Sequence, residues 1–324
     1  MSALAQAPAL VAVSPTTRAA AVEARGLVRR YRNGRGVGPI DLDVSAGETV
    51  ALMGRNGCGK TTLLRVLATV SRPQRGQVRW GGKSATAARA QLGLALDGAL
   101  EDGGLTGRQA THFWCSQWVS DAREVAARTD AVLQQLTLST AADDRVATYS
   151  YGMRRRLALA AALGHQPALA LLDEPTAGLD PEGSAQLELL ISERAARGYS
   201  TVVASNDARF VEAVADRVAF LDDGLLVRCA SPSELLADLP RGRVAELVVD
   251  GSCDLSALRV LPGVLDVTRD GAVVVARFEG ERTIAALVAA ADAPGGRLRE
   301  LRLRRPDLSD RFHDLTGHPL EERS

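Results

Sequence analysis

Polar and apolar positions divide the chain into two differently patterned parts. Residues 23–53 run in short apolar stretches broken by Gly34, Gly36 and Gly38, which predicts two or three strands joined by turns. Residues 49–53 form a short apolar strand leading into a glycine-rich loop, then a helix from about Gly59 to Val70. Helical patterning returns between about Leu105 and Gln135. Residues 168–172 are uninterruptedly apolar and end at Asp173, and residues 201–204 and 218–221 repeat that pattern. Continuous apolar strands belong to parallel sheets covered on both faces. Strands that alternate with helices give an α/β core.

Around Ser231-Pro232 the pattern changes. Strands are predicted at 244–249, 264–267, 273–278 and 298–303, and helices at 255–258 and 283–291. Asp270-Gly271 supplies a hairpin turn. The order β-α-β-β-α-β predicts a small ferredoxin-like α+β unit, followed by a helix beginning near Pro306. No stretch repeats another.

Composition narrows the class. The chain has 324 residues, 46% of them hydrophobic, enough to bury a sizeable core. Its 39 basic and 39 acidic residues cancel, so no nucleic-acid partner is expected. The run Arg154-Arg155-Arg156 reads as a solvated helix face. Cys58, Cys115, Cys229 and Cys253 are scattered without a Cys-x-x-Cys pair, against a zinc site or disulfide framework and in keeping with a reducing compartment. The longest apolar tract, 157–172, is interrupted by Gly164, His165, Gln166 and Pro167, short of the roughly 18 residues a membrane span needs. It predicts a buried helix followed by a buried strand. The first 22 residues lack the basic start of a secretory signal and read as a floppy extension.

The glycine loop carries the chemistry. Gly54-Arg55-Asn56-Gly57-Cys58-Gly59-Lys60-Thr61 matches G-x-x-x-x-G-K-[ST] in full, after a strand and before a helix. Glycines let backbone N–H groups turn inward around phosphate oxygens, and the helix N-terminus adds its positive dipole end. Lys60 then reaches the β- and γ-phosphates, the Thr61 hydroxyl ligates Mg²⁺, and Thr62 continues the cradle. Cys58 is a small packing residue there. A phosphate loop also needs a metal-orienting carboxylate on a neighbouring strand, and Asp173 fills that role. Glu174 is placed to accept a proton from attacking water.

The stretch Asp-Glu-Pro-Thr-Ala-Gly-Leu-Asp at 173–180 resembles the Walker B strand, catalytic glutamate and D-loop of the ABC ATPases, with Asp180 as the D-loop acid. Upstream, Tyr149-Ser150-Tyr151-Gly152-Met153 resembles the family signature, and the helix 154–163 follows it as in that family. Tyr31 stands where the family carries an aromatic that stacks on adenine. The resemblance covers about residues 23–230. It implies a P-loop ABC nucleotide-binding fold at 23–232 with a helical subdomain near 98–147, and an accessory domain at 233–324. It further implies ATP and Mg²⁺ as ligands and two subunits, alike or different, bound head to tail. Ser150 and Gly152 of one copy would then meet the γ-phosphate held by Lys60 of the other. Taken alone, Ser150 reads as a helix cap.

Leu261-Pro262-Gly263-Val264 and the ending Pro306-Asp307-Leu308-Ser309-Asp310-Arg311-Phe312 resemble the C-terminal part of drug-exporter ATPases of the daunorubicin-resistance type. That resemblance implies a separate integral membrane subunit and a place on the cytoplasmic face of the cell membrane. The helical region would pass ATP-driven motion to that subunit. Trp114 and Trp118, four apart, read there first as core and second as coupling surface.

Two positions depart from the family. Asn206 occupies the place of the switch histidine, and an asparagine is shorter and never cationic. Asp97 occupies the place of the Q-loop glutamine, where it could ligate Mg²⁺. An uncompensated charge about 4 Å from the triphosphate is worth roughly 4 kcal/mol at an effective dielectric near 20. The expectation is an ATP hydrolase that binds MgATP well and turns it over slowly as a homodimer, or as the weaker half of a heterodimer. Two rival readings are a soluble ABC ATPase of translation or DNA repair and a nucleotide sensor without turnover.

Overall fold

The computed structural model describes residues 20–96 and 104–320, apart from 238, 240, 241 and 294. Two antiparallel strands, β1 (Ala20–Arg30) and β2 (Gly36–Ser45), open the chain and lead into β3 (Thr49–Met53) and α1 (Lys60–Leu67). β4 (Arg75–Arg79), α2 (Ala85–Ala88) and β5 (Leu92–Ala95) follow. The helical region holds α3 (Gly107–Ser116), α4 (Ala122–Gln135) and α5 (Tyr151–Leu163). Strands and helices then alternate as β6 (Leu169–Asp173), α6 (Pro181–Ala196), β7 (Ser200–Ala204), α7 (Ala208–Val214) and β8 (Arg217–Asp222), ending in β9 (Leu225–Ala230) and α8 (Pro232–Ala237).

The central sheet has the order β5-β6-β7-β3-β8-β9, parallel except for β9. Every residue of β3, β6 and β7 is buried, as a strand covered on both faces requires. One face packs on Leu63, Leu64 and Leu67 of α1 and on the small sheet β2-β1-β4. The other packs on Leu157, Leu159 and Leu163 of α5 and Leu187 and Ile191 of α6. This sandwich places the ends of β3, β6 and β7 side by side, and the loops leaving them build the site.

The first strand begins earlier than the expected extension at 1–22 allows. Val22 is buried and paired with Val44, so packing draws the strand back to Ala20. The run at 154–156 is likewise not a uniform solvated face. Arg155 is 1% exposed, because its position on α5 faces the sheet rather than solvent.

The C-terminal part comprises β10 (Arg243–Gly251), α9 (Leu255–Arg259), β11 (Val264–Asp270), β12 (Val273–Phe278), α10 (Arg282–Ala291), β13 (Gly296–Arg304) and α11 (Leu308–Thr316). Its antiparallel order β11-β12-β10-β13 is the ferredoxin-like arrangement. One face buries Leu247, Val274 and Phe278 against Leu258 and Leu287 of its helices. The opposite face carries Arg277 and Arg304, which α11 neutralises through Asp314 and Asp310. α11 also reaches the central core. Phe312 meets Phe220 edge to face, ring centroids 5.6 Å apart, and Glu212 of α7 accepts from the Leu308 N–H at 3.2 Å.

Candidate nucleotide site

The loop between β3 and α1 closes tightly over its neighbours. A Cβ on Gly59, where φ is 114°, would lie 2.8 Å from the Gly36 carbonyl oxygen and 2.3 Å from a Val37 methyl carbon. A Cβ on Gly54 would meet the Leu221 carbonyl oxygen at 2.1 Å. Only glycine fits at either place, so the motif's spacing is also a packing requirement. Cys58 is buried beside Gly54, and burial pushes its thiol pKa up, as befits a packing residue. Together with Arg55, Asn56 and Gly57 it completes the loop, and Asn56, Gly57 and Gly59 line a cavity of about 270 Å³.

Lys60 is 7% exposed. Its ammonium donates to the Gly54 carbonyl and, at 3.2 Å, to Asn206 Oδ1, with Glu174 Oε1 at 4.0 Å. Asn206 Oδ1 also accepts from the Gly54 N–H at 3.3 Å. Asn206 therefore lies between the Lys60 ammonium and the start of the glycine loop. Thr61 Oγ1 donates to Asp173 Oδ2 at 2.6 Å, and Thr61, Thr62, Asp173 and Glu174 all line the cavity. A hydroxyl and a carboxylate in contact are the hard oxygen donors Mg²⁺ takes, with room for phosphate oxygens and water to complete an octahedron. The residues present fit that ion.

Glu174 has φ +45°. A non-glycine residue in this left-handed region costs on the order of 1–3 kcal/mol and points to function. Its N–H donates to the Ala204 carbonyl at 2.7 Å and its carbonyl accepts from Ala177 N–H at 3.1 Å, which hold the turn. The side chain stays partly exposed at the cavity.

Tyr31 borders α1 rather than lining the phosphate cavity. The Arg29 guanidinium lies 5.0 Å from its ring centroid. Burial raises the phenol pKa, but hydrogen bonding with Arg29, Thr62, Ser71 and Arg65 outweighs it and leaves the group below its ordinary value.

The signature residues lie elsewhere. Ser150 caps α5, accepting from Met153 N–H at 3.2 Å, and is exposed. A Cβ on Gly152 would come 2.7 Å from the Gly178 carbonyl oxygen, and the Tyr151 ring covers Gly178, so the signature turn and the D-loop are stacked. Asp180 caps α6 through Gly183 N–H at 2.8 Å. Ser150, Gly152 and Asp180 are absent from the lining of the Lys60 cavity.

The chain matches the ABC transporter family profile over residues 37–177. It is 33% identical over 307 residues to the daunorubicin resistance ATP-binding protein DrrA3 of Streptomyces coeruleorubidus, spanning 92% of this chain and 96% of that protein. It belongs to the ABC transporter ATP-binding proteins. The linearmycin resistance ATP-binding protein LnrL of Bacillus subtilis is 27% identical, with 93% of this chain and 100% of that one covered. Among solved structures, cbiO1 of Clostridium perfringens superposes with a TM-score of 0.60 at 24% identity, over 68% of this chain and 92% of that one. That likeness shows the fold.

As a member of this family the chain is an ATP hydrolase that uses ATP and Mg²⁺ to power a transporter. No helix among the described residues is long and apolar enough to cross a membrane. Asp97 lies outside the described residues.

One site feature escaped sequence reasoning, and at another the structure favours the second of two readings over the first. Arg35, in the turn between β1 and β2, lines the phosphate cavity, brought there by a hairpin that no local motif announces. Trp114 and Trp118 are 42% and 43% exposed rather than core. The buried residues of α3 are Gly107, Ala110, Thr111 and Cys115, which turns Trp114 outward, and Trp118 follows in the turn after the helix. They line a groove of about 720 Å³ with Val70, Ala158 and His165.

Proposed function

We propose that this chain binds MgATP in the Lys60 pocket and closes on a second ATPase subunit, alike or different, whose Ser150 turn seals the γ-phosphate. The reading rests on one observation: Lys60, Thr61, Thr62, Asp173 and Glu174 line one cavity, while Ser150, Gly152 and Asp180 do not line it. A serine hydroxyl and N–H groups at the start of α5 are anion donors in need of an anion. When nucleotide enters, Lys60 exchanges Asn206 and Glu174 for phosphate oxygens. Thr61 and Asp173 would hold Mg²⁺, whose charge would offset that of the phosphates. Tyr31 offers its free ring face to the base, and Glu174 takes the proton of the attacking water. Asn206 donates a hydrogen bond to the departing phosphate without adding positive charge, which with Asp97 supports slow turnover. Single-turnover kinetics on the purified chain test this; rapid hydrolysis without a partner contradicts it.

The domain division at 23–232 and 233–324 follows the change from the mixed sheet to the antiparallel one. The groove flanked by Trp114 and Trp118 is suited to an apolar segment of a separate integral membrane subunit. That would hold the chain on the cytoplasmic face of the membrane. Relatives named for daunorubicin and linearmycin resistance and for Nod factor export support an outward direction. Trp118→Glu should abolish co-purification with that membrane subunit and leave ATP binding intact. Retained co-purification would place the docking surface elsewhere.

A further inference from the structure

Among three consecutive arginines on α5, Arg155 alone is fully buried. Its guanidinium donates to the Leu96 carbonyl at 2.7 Å, the Glu174 carbonyl at 2.6 Å and the Asp173 carbonyl, while Nε has no partner. Among the described residues all three of these bonds end on backbone oxygens rather than on a carboxylate. A buried cation whose partners among the described residues are carbonyl dipoles is costly to keep. The groups it serves indicate its purpose.

Those groups are the two peptide units on either side of the Glu174 Cα, the residue held at φ +45°. Fixing both carbonyls fixes the direction in which the Glu174 side chain leaves the backbone. The third carbonyl, of Leu96, lies just past the end of β5. Arg155 is five positions from Ser150, the cap of the same helix, about 7.5 Å along its axis. α5 therefore runs as a stiff link from the exposed Ser150 turn to the backbone of the general base.

We propose that Arg155 is a positioning residue that couples the two nucleotide sites of the dimer. When the Ser150 turn seats on nucleotide held by the other subunit, α5 shifts. Its guanidinium then carries the Asp173 and Glu174 carbonyls into the setting in which Glu174 accepts a proton. Each glutamate is armed only when its own signature turn is engaged, so the two sites fire together. This rests on the dimer reading above.

Arg155→Lys keeps the charge and loses the fork, and Arg155→Gln keeps donors and loses reach. In both full-length variants the ATP affinity of the Lys60 pocket should stay within about twofold. kcat should fall about tenfold or more, and the ATP dependence, expected to be sigmoidal in the wild type, should become hyperbolic. In a Glu174→Gln background Arg155→Lys should still form the ATP-bound dimer. A hyperbolic wild-type curve would overturn the inference. So would unchanged kcat and cooperativity in both variants, or activity lost only in proportion to folded protein. Were the wild type to form no ATP-driven dimer, the dimer reading would fall and take this inference with it. A dimer whose turnover ignores Arg155 sinks this inference alone.

Discussion

The Lys60 pocket and the Ser150 turn are built on opposite principles. In the pocket, Lys60, Asp173 and Asn206 are 7%, 2% and 8% exposed; Lys60 donates to Asn206 and to the Gly54 carbonyl, and Asp173 accepts from the Thr61 hydroxyl. At the turn, Ser150 and Tyr151 are exposed, and the bond Ser150 makes there only caps its own helix. A closed network can hold its geometry within one chain. An exposed set of anion donors is complete only when something binds it. The difference teaches why a second subunit is proposed: the pocket is closed within the chain, and the turn presents donors that nothing among the described residues of the same chain uses.

Changing the closed half should have the largest effect. Glu174→Gln should lower turnover by about 10²–10⁴-fold, the usual value of general-base catalysis, while ATP binding persists. Phosphate-release and nucleotide-binding assays check this. Unaltered turnover would remove Glu174 from its role.

Next comes the frame behind that half. Phe312 of α11 is fully buried against Phe220 of β8, three strands along the sheet from β6 and its Asp173. Phe312→Ala should cost about 3–5 kcal/mol, read by thermal or urea unfolding. A loss under about 1 kcal/mol would mean the C-terminal part hangs free of the nucleotide core.

The frame should also weaken in acid. His165 sits under the tryptophan groove and donates from Nε2 to the Leu92 carbonyl at 3.1 Å. Burial, aided by Arg194 and Arg128 and opposed by the Leu92 carbonyl, lowers its pKa to about 4. Above pH 6.5 the group is neutral in both states and contributes nothing. Between 6.5 and about 4 the unfolded chain takes a proton the folded chain refuses, so stability falls, by up to about 3 kcal/mol. His165→Gln should flatten the stability profile across that window. An unchanged profile would assign acid sensitivity to other groups.

The exposed half should respond most mildly. Gly152→Ala brings a methyl carbon to 2.7 Å from the Gly178 carbonyl oxygen and should pry the signature turn from the D-loop. Turnover should drop about tenfold, with single-chain nucleotide affinity unchanged. A matching loss of affinity would erase the distinction between the halves.

These halves were not equally legible in the sequence. The phosphate loop and Asp173 could be read directly, because their motif, strand context and helix start are contiguous. The apolar strands β3, β6 and β7 were legible for the same local reason. β4 and β9, largely exposed, carry Arg-Gly-Gln-Val-Arg and Leu-Leu-Val-Arg-Cys-Ala and offered no comparable signal. Arg155 looked like its neighbours because a charge run says nothing about which member faces inward. Its burial depends on how α5 lies over β6, a tertiary fact. Asn206 stood out only through the family resemblance, and its contact with Lys60 at 3.2 Å is a tertiary fact that no local motif announces.

The most direct test mixes two broken copies in the Glu174→Gln background. Lys60→Ala empties the pocket. Ser150→Asp keeps a good helix cap yet sets a negative charge against phosphate. Neither variant alone should dimerise with ATP in light scattering. An equal mixture should, because the intact pocket of one chain then meets the intact turn of the other. If the mixture stays monomeric, or Ser150→Asp dimerises unaided, the two-half account is contradicted.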